Sequence, residues 1–413
     1  MKKLAITGPF ADVNFGDYGM LVNNLYDFNY QDYIIYSYDD TFLNTLNKDY
    51  FKEINIQVID VVLNNTEPLT VFPYTPLQII ENVKNKTEII DSFSDVETLI
   101  VNGGGYFNSL WSMPHRFERL IKIIAPILIA DFLNKKIVFT GNSYGPFGDD
   151  FEFFATFFSS LKNSTYGVRD QLYSPMWFNQ LGVKKELTFI PDDLLVLNEK
   201  IKNMTAKNKL DINAKYIVIE TYLSLDYIEN NIVSFNNLVS TLSEKHNTKV
   251  VFLPLHLQHG GNDQGKFLKN NISDLIWMDI SKKGYLPLED AVEIIKNAEL
   301  VISSRYHALV FSTILKTPII SHLRTVMEDK RYYYNKNIGL LNQVFKGMVV
   351  DLEKIVFNDY IDAIEYVTEN FQEIIDYQNS LYNNPLVDSN FNELKKIRED
   401  FIEKHIKNGE KNV

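Results

Sequence analysis

Leu300-Val301-Ile302-Ser303-Ser304-Arg305-Tyr306-His307-Ala308-Leu309-Val310-Phe311, continuing through Thr317-Pro318 to His322, decides the fold class. It reads as an apolar strand (300–302), a polar turn (303–307), a helix of about two turns, and a second apolar strand opened by Thr317-Pro318. Arg305 and His307 fall at the strand-to-helix joint. In an open α/β sheet that joint faces the ligand, because the first-turn N–H groups and the positive dipole end of the helix point there. An anion site is therefore expected; if Ser304 caps the helix, His307 falls at its third position.

The same alternation recurs on either side of this stretch. Lys3 to Thr7 is a strand that empties into a polar loop holding Asn14-Phe15-Gly16-Asp17, ahead of the helical pattern Met20, Leu21, Leu25. The strand Asp95 to Val101 ends in Asn102-Gly103-Gly104-Gly105, and Lys136 to Thr140 ends in Gly141-Asn142-Ser143-Tyr144-Gly145-Pro146. Consecutive glycines at a strand end allow either close approach of a ligand or a tight, densely packed turn. Ser164 to Val168 runs into Arg169-Asp170, and Leu187 to Ile190 into Pro191-Asp192-Asp193. After the polar, lysine-rich stretch 198–213 a second series begins with strands at Tyr216 to Ile219 and Val250 to Leu253. His256 and His259, near Asp263, lack a regular metal-ligand spacing and are expected to line a cleft; no metal is expected.

These patterns predict an α/β chain of two facing Rossmann-like βα domains with a cleft between them. Residues 1–197 form the first domain, 198–213 a linker, 214–340 the second domain, and 341–413 a mostly helical tail. In that tail Leu394, Ile397, Phe401, Ile402 and His405 share one face.

At 413 residues the chain is too long for one ordinary core. The 24 Tyr, 28 Phe and 3 Trp promise large aromatic cores and some surface suited to sugars. A net charge of −12 argues against general nucleic-acid binding, so an anionic substrate needs a locally cationic pocket. With no cysteine, disulfides, thiolate chemistry and Cys-ligated zinc are excluded. Leu4 to Ile6 is too short an apolar run for a signal peptide, and Ile121 to Leu133 falls short of the ~20 residues of a membrane span. A cytoplasmic protein without a transmembrane segment is expected.

Taken in order, Asn14-Phe15-Gly16-Asp17, Gly103-Gly104-Gly105, Gly141 to Pro146, Val168-Arg169-Asp170, Pro191-Asp192-Asp193 and above all Ser303-Ser304-Arg305-Tyr306-His307-Ala308 resemble the polysaccharide pyruvyl transferase family. The motifs follow the family's order over residues 1 to about 325. The resemblance implies a GT-B-like fold and transfer of pyruvate from phosphoenolpyruvate to a sugar, usually as a cyclic ketal, in exopolysaccharide or other cell-envelope glycan synthesis. It implies phosphoenolpyruvate as donor substrate with no cofactor, an acceptor side in the first domain and a donor side in the second. A lipid-linked acceptor at the inner membrane face would suit the amphipathic tail.

Phosphoenolpyruvate carries two anionic groups, which suit an arginine fork and a histidine. Arg305 is expected to hold the donor anion with Ser303, Ser304 and the helix N-terminus. His307 serves as general acid or as phosphate ligand. Arg169 is a second clamp by resemblance. Asp17 is a base toward an acceptor hydroxyl or a helix cap. Asn14, Gly16, Gly103, Gly104, Gly105, Asn142, Ser143 and His256 line the substrate site. The rival readings are a GT-B nucleotide-sugar glycosyltransferase or epimerase, with Glu328-Asp329 as ribose contacts, and a non-catalytic scaffold.

Overall fold

The computed structural model describes residues 3–64, 74–207, 214–257, 261–325 and 329–407. His259, Glu328 and residues 208–213 of the expected linker lie outside this set. Apolar runs such as Leu99-Ile100-Val101 and Ile217-Val218-Ile219 are buried along their whole length. Continuous burial of this kind belongs to parallel strands covered by helices on both faces.

The first sheet comprises β1 (Lys3–Thr7), β2 (Asp32–Ser37), β3 (Asn55–Asp60), β4 (Val96–Val101), β5 (Gly104–Phe107), β6 (Lys136–Tyr144), β7 (Ser164–Val168) and β8 (Leu187–Phe189). Its order is β3-β2-β1-β4-β6-β7-β8, with β5 paired to β6, and its pairings are parallel. The second comprises β9 (Lys215–Glu220), β10 (Thr248–Phe252), β11 (Ile276–Trp277), β12 (Val301–Ser303), β13 (Ile319–His322) and β14 (Val356–Phe357). It runs β11-β10-β9-β12-β13-β14, again parallel. In both sheets the chain winds one way from the first strand and then the other way. The crevice beyond the strand ends at that reversal is where open α/β sheets bind ligands. In the second sheet the reversal lies between β9 and β12, where Glu220 and Ser303 are direct partners in register. The α/β class with two parallel sheets agrees with the sequence pattern.

Contacts divide the chain into two compact units. One holds the chain up to Asp12, Asp17–Val196 and everything from Leu394 onward; the other holds Val13–Gly16 and Leu197–Glu393. The first core is built on aromatic rings: Phe107, Phe139, Tyr144, Phe157, Phe158 and Tyr166 all lie within it. The second is aliphatic, with Ile217, Ile219, Val250, Ile302 and Ile320 packed under Tyr360, Ile364 and Phe371 of the helix Tyr360–Tyr382. The C-terminal part is helical, as expected.

β13 follows the helix opened by Arg305, and its first residue lies beyond the reach of β14. A side chain fills the gap. The fully buried Gln378 amide accepts from Ile319 N at 2.7 Å and donates to Ile319 O at 2.8 Å, in place of a strand neighbour. Gln378→Leu leaves two buried backbone groups unsatisfied. We expect it to lower the unfolding free energy by roughly 2–4 kcal/mol, read from the shift in urea midpoint at unchanged slope.

Candidate functional site

In the second unit the site grows out of the end of β9. Glu220 closes an apolar run and is 1% exposed, so its charge must be met by donors. Its Oε2 accepts from Ser303 Oγ at 2.7 Å and from Ser304 N at 3.3 Å. Its Oε1 takes Arg305 Nε at 2.9 Å, a pair whose side chains are 9% and 1% exposed. Ser303 Oγ also accepts from Arg305 N at 2.9 Å, and the Tyr360 hydroxyl donates to Glu220 O at 2.9 Å. One carboxylate thus fixes the whole turn from Ser303 to Arg305.

The helix that follows spans Tyr306–Leu315, with Arg305 in extended conformation as its cap residue. Ser304 is therefore not the cap, and His307 is the second helical residue, not the third. The cause is competition: Ser304 Oγ lies 3.1 Å from His322 Nδ1, while its N–H is turned to Glu220. Arg305 thereby sits directly at the helix N-terminus. Its guanidinium lies 5.0 Å from the Tyr222 ring, over which Arg324 stands at 3.3 Å. Lys336 lies 3.9 Å from the Tyr332 ring and 5.8 Å from Tyr306. Three cations held on aromatic faces make this corner locally positive in an acidic chain.

Val13–Gly16 belongs to the same unit. Asn14 bridges His256 in antiparallel fashion, and Phe15 N donates to Leu255 O at 3.1 Å. The Phe15 ring meets Phe311 edge-on at 4.9 Å. These fastenings press Gly16 onto His307 so closely that a Cβ there would lie 1.6 Å from the imidazole Nδ1. Glycine at 16 is thus the condition for the position of the histidine. Tyr306 packs edge-on to the same ring at 5.1 Å.

The first unit gathers the other expected residues. Arg169 is buried, its Nε donating to Ser143 Oγ at 2.8 Å and its Nη1 to Asp192 Oδ2 at 2.6 Å. Asp193 accepts from Gly103 N at 2.9 Å, Gly141 N at 3.2 Å and Thr140 Oγ1 at 2.5 Å. A Cβ at Gly103 would lie 2.3 Å from Asp193 Oδ2, so the glycine there admits the carboxylate. Gly104, with φ +148°, pairs with Asn142 across β5 and β6. Gly105 accepts at its carbonyl from Asn108 Nδ2 at 3.0 Å. Asp17 lies in the first turn of the helix Phe15–Phe28, half-buried, and its charge acts on the Tyr106 and Tyr38 phenols. Asn14, Gly16, His256, Ser303, Ser304, Arg305 and His307 therefore belong together in one unit. Gly103, Gly104, Gly105, Asn142, Ser143 and Arg169 belong together in the other.

A family model for polysaccharide pyruvyl transferases matches residues 11–322. The chain belongs to the polysaccharide pyruvyl transferase family. It is accordingly a transferase by family. A comparison with curated proteins found no match. Among solved structures, the UDP-GlcNAc 2-epimerase of Neisseria meningitidis bound to UDP-GlcNAc is 13% identical with a TM-score of 0.58, covering 96% of this chain and 99% of that one. Anabaena HepE in complex with UDP is 11% identical with a TM-score of 0.56, covering 98% and 99%. MnaA of S. aureus with UDP is 12% identical with a TM-score of 0.51, covering 93% and 92%. At this identity the likeness is one of fold: this transferase shares the GT-B architecture of these structures.

Sequence reasoning missed Glu220, Tyr222, Arg324, Lys336 and His322. Glu220 left one trace, a carboxylate closing the buried-type run Tyr216 to Ile219. His322 left none. Burial is the largest influence on its imidazole and, with Arg324 and Lys330, pushes its pKa down to about 4 against the pull of Asp359. His405 is pushed down to about 4 as well, chiefly by burial.

Glu220→Ala removes the buried counter-charge that Arg305 Nε meets at 2.9 Å. We expect a loss of roughly 3–5 kcal/mol in unfolding free energy, measured by urea titration, with Glu220→Gln losing less. A neutral buried imidazole stabilises the fold fully above the unfolded-state pKa near 6.5, and that stability is lost as pH falls toward 4, because only the unfolded chain takes up the proton. His322 contributes on the order of 3 kcal/mol to this slope. His322→Gln should flatten the fall in melting temperature between about pH 6.5 and 4, leaving the smaller share of the more exposed His405.

Proposed function

We propose that this transferase moves the pyruvyl group of phosphoenolpyruvate onto two hydroxyls of a sugar in a cell-surface glycan or its precursor, as a ketal. The observation that carries the reading is the turn Ser303 to His307 in a chain of this family. An arginine fixed by a buried carboxylate and a histidine fixed by a glycine contact flank a helix N-terminus. That constellation suits an anionic group in front of the helix, with a titratable ring beside it.

In the reaction the methylene carbon of the donor gains a proton, two acceptor oxygens bond to the adjacent carbon, and the carbon–oxygen bond to phosphate breaks. The two hydroxyl protons are accounted for, one on the new methyl group and one on the departing phosphate. Arg305 and the first-turn N–H groups hold the donor anion. His307 delivers the proton or binds the phosphate as it leaves. Arg324 and Lys336 add to the positive field around them. The second unit is thus the donor side in this reading, and the first unit, with Asp17 as base and Arg169 and the glycine loops as lining, the acceptor side. The donor is a cytoplasmic metabolite, so the reaction belongs in the cytoplasm, with a lipid-linked acceptor met at the inner membrane face. Among the described residues no helix is long and apolar enough to cross a membrane.

His307→Ala and Arg305→Lys, each retaining the wild-type melting temperature, should lower phosphate release from phosphoenolpyruvate in the presence of acceptor by at least ~100-fold, about 2.7 kcal/mol of transition-state stabilisation. Arg305→Lys keeps a charge beside Glu220 while removing the planar fork. Near-normal turnover in either variant would sink the assignment. Thermal shift by UDP-sugars with none by phosphoenolpyruvate would instead favour nucleotide-sugar chemistry.

A further inference from the structure

The helix Pro385–Ile402 carries an arginine where its pattern calls for an apolar residue. Leu394, Phe401 and Ile402 are buried, and Arg398 lies among them with its side chain 1% exposed. Its three nitrogens all have oxygen partners: Nε donates to Asp27 Oδ2 at 2.8 Å, Nη1 to Asp193 Oδ1 at 2.9 Å, and Nη2 to Asn24 Oδ1 at 2.6 Å. All of these residues belong to the first unit.

Asp193 is the hinge of the arrangement. The same carboxylate that takes Arg398 also holds Gly103 N, Gly141 N and Thr140 Oγ1, and its Oδ2 accepts from Asn24 Nδ2 at 2.8 Å. Asn24 turns back to bond Asn102 Oδ1 at 2.6 Å. The guanidinium is therefore two bonds away from both glycine-rich strand ends. A buried carboxylate stripped of its counter-charge either takes a proton or draws in water, and in both cases loses the geometry that fixes those amides.

We propose that Arg398 is a positioning residue for the strand-end loops 102–105 and 141–143, acting through Asp193. It lies far beyond the matched family stretch, which ends at residue 322. The last helix thereby completes the side of the molecule that the pyruvyl-transfer reading gives to the acceptor, and the consequence for transfer rests on that reading. The coupling of Arg398 to the two loops through Asp193 does not depend on it. A helix that merely covered the core would place an apolar residue at 398 and leave Asp193 to its amide donors.

The test uses the full chain as wild type, Arg398→Met and Arg398→Lys, followed by peptide-resolved hydrogen exchange and by steady-state transfer. In Arg398→Met, peptides spanning 102–107 and 141–145 should exchange at least ~10-fold faster, while β2 keeps its wild-type protection. Arg398→Lys, with the charge but not the fork, should fall between the two. For transfer, kcat should drop by at least ~10-fold while KM for phosphoenolpyruvate stays within about twofold. Unchanged exchange at both glycine peptides overturns the proposal, as does uniform acceleration across all peptides. Should Arg398→Met fail to fold, a folded Arg398→Lys with wild-type exchange at those peptides overturns it equally. If the wild type transfers nothing from phosphoenolpyruvate, the pyruvyl reading fails and the exchange result still decides the role of Arg398.

Discussion

A buried carboxylate at the end of β9 governs the second unit. Glu220 sits where the strand order reverses, opposite Ser303 in register and 1% exposed. Its oxygens have to be met by the Ser303 hydroxyl, the Ser304 amide and the Arg305 guanidinium. Meeting them forces the chain to stay extended through Arg305, so the helix starts one residue later than a serine cap would start it. The start of the helix sets where its first-turn N–H groups point and which face His307 occupies. Gly16 then limits the ring from the other side. A single electrostatic demand thus propagates into the position of both side chains that suit an anion.

The division of labour between local and distant signals explains what the sequence disclosed. Strands and their glycine-rich ends were legible because buried parallel strands are continuously apolar and the turns use glycine, proline and aspartate for reasons internal to the turn. The Ser303 to His307 turn was legible for the same cause, and the family motifs within it reinforced it. Glu220 was not, because its partner Arg305 lies 85 residues away and nothing near position 220 announces the pairing. The misplaced cap has the same origin. Serine is a good cap when its hydroxyl is unengaged, and here Ser303 and Ser304 are turned to Glu220 and His322.

Arg398 presents the opposite case, a signal present in the sequence and passed over. The tail face of Leu394, Ile397, Phe401, Ile402 and His405 surrounds position 398, four residues after Leu394 and three before Phe401. A charged residue within an apolar stripe is either snorkelling to solvent or paired inside. Only the structure distinguishes these, and it finds Asp27 and Asp193. Pro191-Asp192-Asp193 takes on a clearer meaning in turn. Asp192 holds Arg169, and Asp193 holds two glycine loops and the last helix. The motif is a clamp between segments far apart in sequence.

The net charge of −12 raises the question of how such a chain would hold an anion. Distance resolves it. A cation ~4 Å from an anionic group, at the effective dielectric of ~20 found near protein surfaces, contributes roughly 4 kcal/mol. A surface carboxylate ~20 Å away, in water and screened over a Debye length of ~8 Å, opposes it by on the order of 0.02 kcal/mol. Twelve such charges together reach only about 0.2 kcal/mol, far less than one well-placed guanidinium. What decides the field in front of the helix is therefore Arg305, Arg324 and Lys336, held on the rings of Tyr222 and Tyr332, together with the helix N-terminus itself. Glu220 is a carboxylate close to them, bonded to the Arg305 guanidinium. It is turned inward beneath the serines and spends its charge on fixing Arg305, so the acidic surface and a cationic corner coexist without conflict.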